Sequence, residues 1–161
     1  MPQEAAGAFL EGLQADLACV AYGKIVPDRH PTARSWQGEY SASLNGGQRV
    51  RVRSARGPYW FRQVMSYKIR SNPDGTWEAF TYSYAFGVFV SEKELLTYHL
   101  HPWVLAARFP HIHVQSQDPN SPLAGVHLPT GMVTFGDFVG LLIRDLGVAP
   151  LRADWREALG L

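Results

Sequence analysis

Two histidine pairs, each split by a single residue, lie twelve positions apart: His99-Leu100-His101 and His111-Ile112-His113. His127 follows, so five of the six histidines fall between positions 99 and 127. An imidazole titrates near pH ~6.5, so a pair can hold one neutral base and one charged acid near neutrality. Alternate residues of a strand also point the same way, so each pair could offer two ring nitrogens to one ion. Basic residues form a second group. Residues 40–73 carry no acid and seven bases: Arg49, Arg51, Arg53, Arg56, Arg62, Lys68 and Arg70. The segments before and after this block are net −2 and −4, which hides it in a formal charge of +1.

Together these groups match what metal-independent RNA cleavage needs. A neutral imidazole takes the 2′-hydroxyl proton, a protonated one serves the leaving oxygen, and cations steady the phosphorane charge. His111 and His113 are the candidate acid/base pair, with His99 or His101 assisting. Arg49, Arg51, Arg53, Arg62, Lys68 and Arg70 are the candidate nucleic-acid contacts, and Trp60 and Trp77 could stack bases. Metal binding by the histidine pairs and His127 is an alternative. No Asp, Glu or Cys sits close in sequence to complete a known ligand pattern, so neither metal ligands nor a cofactor are assigned from sequence.

The elements that must position these residues are legible as periodicities. Phe9, Leu10, Leu13, Leu17 and Val20 recur at helical spacing over 4–21, with Gly23 as a C-cap. Residues 27–35, with Pro27 and Pro31, read as an irregular connection. The middle of the chain alternates with period two. Tyr40, Ala42 and Leu44 oppose serines, and Asn45-Gly46-Gly47 reads as a hairpin turn. Val50 and Val52 follow, then Tyr59, Phe61, Met65, Tyr67 and Ile69. After a turn at Asn72-Pro73-Asp74-Gly75 come Phe80, Tyr82, Tyr84 and Phe86, expected in the core opposite Thr81 and Ser83. Leu96, Tyr98 and Leu100 oppose Thr97, His99 and His101, and Ile112 and Val114 oppose His111 and His113. Thr134 to Asp137 resembles a capping box opening a helix with Phe135, Phe138, Val139, Leu142 and Ile143 on one face, closed by Gly147.

These pieces predict one α+β domain over 1–161: an antiparallel meander of five to six strands, with N-terminal and C-terminal helices packed on one face. The opposite face would then carry the arginines and both histidine pairs, unless a bulge flips part of a strand. An aromatic content of 12% within a hydrophobic 46% is too rich for a disordered segment. The lone Cys19 permits no internal disulfide and reads as a buried, inert thiol. There is neither an apolar run long enough for a membrane span nor a signal-like start, so a soluble, cytoplasmic protein is expected.

A strand bearing Tyr82-Ser83-Tyr84 leads to Glu94-Leu95-Leu96-Thr97-Tyr98-His99, then Pro102, then Phe109-Pro110-His111-Ile112-His113-Val114 and a C-terminal helix. In element order and spacing, over about residues 77–146, this resembles the small TumE-like toxin family of bacterial toxin–antitoxin modules. The family's Asp-Asn after the strand tyrosine is His99-Leu100 here, and residues 1–58 have no counterpart. The resemblance implies a sheet-plus-helix core, a histidine-bearing edge and a cognate antitoxin as partner. The leading expectation is therefore a toxin-like, RNA-directed protein, a ribonuclease in its enzymatic version. The alternative is a non-catalytic protein- or nucleic-acid-binding module. It would use the stretch Phe86–Val90 as a sheet edge for strand addition or homo-oligomerisation.

Overall fold

The computed structural model describes residues 1–161. Helix α1 spans Pro2–Leu17, α2 Phe135–Arg144 and α3 Trp155–Ala158. The strands are β1 Ile25–Pro27, β2 Glu39–Leu44, β3 Val50–Val52, β4 Tyr59–Ser71, β5 Trp77–Val90, β6 Lys93–Leu100, β7 His111–Val114 and β8 Leu128–Pro129. They form one antiparallel sheet in the order β1-β2-β4-β5-β6-β7-β8, with β3 also paired to β4. The α+β expectation holds. The sheet has eight strands rather than five or six, because β1 and β8 are two or three residues long and end in proline, too short for a periodicity to show.

One sheet face carries the core. Tyr40, Ala42, Leu44, Phe61, Met65, Tyr67, Tyr84, Phe86 and Val88 are buried there with the apolar faces of α1 and α2. Phe86 is the hub, its ring 5.5 Å from both Phe135 and Phe138 of α2. The entry to α2 is built as expected. Thr134 Oγ1 accepts from the Asp137 N–H at 3.0 Å, and Asp137 Oδ2 accepts from the Thr134 N–H at 2.9 Å. At its other end Gly147 takes φ +68°, and the Val148 N–H donates to the Leu142 carbonyl at 2.9 Å. Helix α1 ends at Leu17, not at 21. Gly23 is not its cap; a Cβ there would stand 3.0 Å from the Leu44 side chain. Cys19 is fully buried beyond the helix end.

Three sequence expectations change, each for a local reason. Asn45-Gly46-Gly47 does adopt positive φ throughout, but it makes no hairpin. Strands β2 and β3 both pair with the thirteen-residue β4, β2 along 64–68 and β3 along 59–61, and run in the same direction. The 45–49 segment is an excursion between two strands in line. Second, the register between β4 and β5 slips between Ser66 and Tyr67, where Tyr82 is the extra residue. Beyond that bulge Thr81 opposes the core residue Tyr67 and Phe80 opposes the outward Lys68, so Phe80 and Thr81 exchange faces relative to strict alternation. Third, the Phe86–Val90 stretch is no edge, since Phe86 to Phe89 are paired with β4 on one side and β6 on the other. No helix is long and apolar enough to cross a membrane.

Candidate metal centre on the open sheet face

The register across β5 to β8 decides where the imidazoles go. On the helix side Leu96 faces Val114 and Tyr98 faces Ile112. The alternate residues must then point to the open face, where Thr97 opposes His113 and His99 opposes His111. A second slip, between Val88 and Phe89, is absorbed by Leu95 before the histidines begin, so their alternation stays in phase. His101 lies one residue beyond β6 and keeps the outward phase. His127 precedes β8, and the two-residue register His111 to Pro129 and Ile112 to Leu128 brings it beside His113.

All five rings form one contiguous group. Centroids are 4.8 Å apart for His99 and His101, 5.0 Å for His99 and His113, and 5.0 Å for His111 and His113. His127 completes it, 4.8 Å from His111 and 4.5 Å from His113. Within the group, ring nitrogens of His99, His111 and His113 lie within 4.8 Å of one another. Tetrahedral ligands at zinc–nitrogen distances would be about 3.3 Å apart, so the nitrogens would have to draw closer by up to about 1.5 Å to close on an ion.

The hydrogen bonding leaves nitrogen lone pairs free. His111 is 1% exposed, and its Nδ1 stands 2.9 Å from the Phe109 carbonyl. A carbonyl only accepts, so Nδ1 carries a proton, and it is Nε2 that offers the lone pair whenever the ring is neutral. The Nδ1 atoms of His101 and His113 are buried without a partner, and so is Thr97 Oγ1, on the residue directly opposite His113. Burial first, then repulsion from the other imidazoles, pushes His99 down to about 3. His101 and His113 are lowered by the same two causes in the same order; Glu94 partly offsets the shift at His113. No arginine or lysine figures among the charges acting on these three rings.

The arginines stand elsewhere. Arg51, Arg62, Lys68 and Arg70 do share the open face, but Arg62 is three strands from His113, about 14 Å in a sheet. Arg62 and Arg70, at opposite ends of β4, are about 26 Å apart along the strand. Arg49 and Arg53 flank β3 rather than belonging to it. Most of these cations are engaged locally. The Arg49 guanidinium lies 3.7 Å from the centre of the Phe89 ring and pairs with Glu92 at 3.1 Å. Arg62 Nε donates to the Gly47 carbonyl, Lys68 sits 3.4 Å over Tyr82, and Arg70 pairs with Glu78 at 2.8 Å. Arg51 lies over Trp60. Trp77 turns to the other face and packs edge-on against Trp36 at 4.7 Å, so it is not a stacking platform on the open side.

Neither Thr97 nor Trp103 carries a spacing or motif that singles it out in the sequence. Thr97 is one polar residue among several on the strands, and only the register places it opposite His113. His127 sits in a turn-rich segment whose pairing depends on two residues. Compared with family models, with curated proteins and with solved structures, the chain finds no match, and the toxin resemblance is neither supported nor opposed by them.

Proposed function

We propose that this protein binds a transition-metal ion through His99, His111 and His113. The observation that carries the reading is the convergence of three ring nitrogens, from two adjacent strands, within 4.8 Å. An all-imidazole set suits zinc, copper, nickel or iron, and is poorly suited to magnesium or calcium, which take oxygen ligands. The lowered basicity of His99 and His113 keeps them in the neutral form that a metal requires. Three protein ligands leave a position for water or an organic ligand, as in zinc sites that act as Lewis acids. Thr97 is the candidate positioning residue: its hydroxyl and His113 Nδ1 are both buried, unpartnered and opposite in register, so a small rotation would pair them and orient the ring.

The acid–base ribonuclease reading draws less support from the same geometry. It needs a protonated imidazole at neutral pH and a cation within reach of the phosphate. His99, His101 and His113 are all pushed towards neutrality, and the basic side chains lie strands away.

Calorimetric titration of zinc into chelator-treated, untagged protein tests the metal reading. One ion per chain is expected, with binding abolished in the variant carrying His99→Ala, His111→Ala and His113→Ala. Equal binding by that folded variant would refute it.

A further inference from the structure

Beside the histidines the open face sinks into a trough of about 230 Å³. Its floor is made of small residues in register: Val64 opposite Ala85, and Ser66 opposite Ser83. Ala85 is the cross-strand neighbour of His99, so the floor runs directly into the metal-binding group. One wall is His101 and Trp103, whose rings are 5.4 Å apart, with Tyr82 6.2 Å beyond Trp103.

The polar groups of this trough are incompletely paired. Ser66 and Ser83 are 4% and 7% exposed, and their hydroxyls share one hydrogen bond of 2.7 Å. Two hydroxyls carry two hydrogens, and their mutual bond uses one. The other hydrogen has no acceptor in the structure, and lone pairs remain on both oxygens. His101 Nδ1, also buried, has no partner either. Buried polar atoms left this way favour a ligand that can both donate and accept. The only charged lining residue is the carboxylate of Glu39. The nearby Lys68 ammonium is held over the Tyr82 ring. An anion would therefore meet a carboxylate in the lining itself, with the Lys68 cation outside that lining and seated on the Tyr82 ring. A polyol could pair with Ser41 and Glu39 on the β2 side, but its other hydroxyls would lie against Val64 and Ala85, which can pair with none.

We propose that the trough is a binding site for a small neutral aromatic alcohol, of the phenol class, lying beside the metal centre. The ring packs between Trp103 and the Val64–Ala85 floor. The hydroxyl sits on the Ser66–Ser83 pair, one strand from His99. This goes beyond the metal reading, and binding to the trough does not depend on it.

The test is a titration of phenol, benzoate and glucose into metal-free protein, followed by amide shifts of Ser83 and Ala85 and the Trp103 indole. Phenol is expected to bind with a dissociation constant of about 1 mM, a normal affinity for so few atoms. Benzoate and glucose are expected to bind about tenfold more weakly or not at all. Ser83→Ala and Trp103→Ala should each weaken phenol about fivefold to tenfold. Trp103 is 56% exposed, so its variant tests the proposal even where Ser83→Ala fails to fold. Benzoate or glucose binding as tightly as phenol, or phenol binding unchanged in the folded variants, would overturn the proposal. Zinc titrated into the same samples separates the two readings: phenol binding without zinc binding supports the trough and refutes the metal centre.

Discussion

The open face of the sheet has a histidine end and an arginine end, and both arise from the same side-chain alternation. At the histidine end five rings form one contiguous group, three of their nitrogens converge, and two buried nitrogens have no partner. At the arginine end the cations are spread along β4 and its neighbours, and most lie over an aromatic ring or against a carboxylate or carbonyl. Residue type alone ranked the two ends alike. What separates them is mutual distance and whether each polar group is already satisfied. A site is a place where unsatisfied groups converge; a solvated face is one where they do not.

The largest effect expected from this contrast is on metal affinity. His111→Ala or His113→Ala should weaken zinc binding by about 100-fold or more, while Arg62→Ala and Arg70→Ala leave it unchanged by calorimetry. If the arginine variants lose zinc as strongly, the two ends are not separate. Next, zinc at about 1,000 times its dissociation constant should raise unfolding stability by about 4 kcal/mol, read by denaturant titration. A smaller effect belongs to Thr97→Val, which keeps the shape and removes the hydroxyl. A zinc affinity about tenfold lower is expected. No change would remove Thr97 from the account.

The metal-free protein should also respond to pH, with two opposing contributions. His99, His101 and His113 have lowered folded values, so the unfolded chain binds more protons in mild acid. Their effect is absent above about pH 6.5 and destabilises progressively as pH falls towards 3, where His99 itself titrates. Asp16 works the other way. Burial, with the Asp137 charge beside it, pushes its carboxyl up to about 6. Ionising it costs stability as pH rises from about 4 to 6, and Asp16→Asn should recover about 1 kcal/mol at neutral pH, since the group is partly solvated. Thermal unfolding of the variant against the parent from pH 4 to 7 checks the sign. The smallest effect is at the arginine end. Arg70→Ala removes an exposed ion pair with Glu78 and should cost under about 1 kcal/mol in chemical unfolding.

How much of this was legible depended on whether the information was local. The capping box at Thr134, the turn at Asn72–Gly75 and the alternation through 96–101 and 111–114 are written within a few residues each, and they appear as read. The bulge at Tyr82 is not. Tyr82 and Phe80 look like the continuation of Tyr84 and Phe86, and only pairing with β4 shows the slipped register. The same holds for Asn45-Gly46-Gly47. Positive φ was predictable, but whether the chain reverses or resumes its direction is decided by the length of β4, which accepts β2 and β3 end to end. For the site, shared outward phase put four histidines on one face. Their convergence, the arrival of His127 and the separation from the arginines depend on strand order, which no spacing in the chain encodes.

The most direct measurement is X-ray absorption at the zinc edge of protein loaded with one equivalent of zinc. The account predicts three imidazole nitrogens at about 2.0–2.1 Å with a water oxygen completing the shell, and loss of imidazole scattering in the variant lacking His99, His111 and His113. A shell of oxygens alone, or an imidazole count unchanged in that variant, would contradict it.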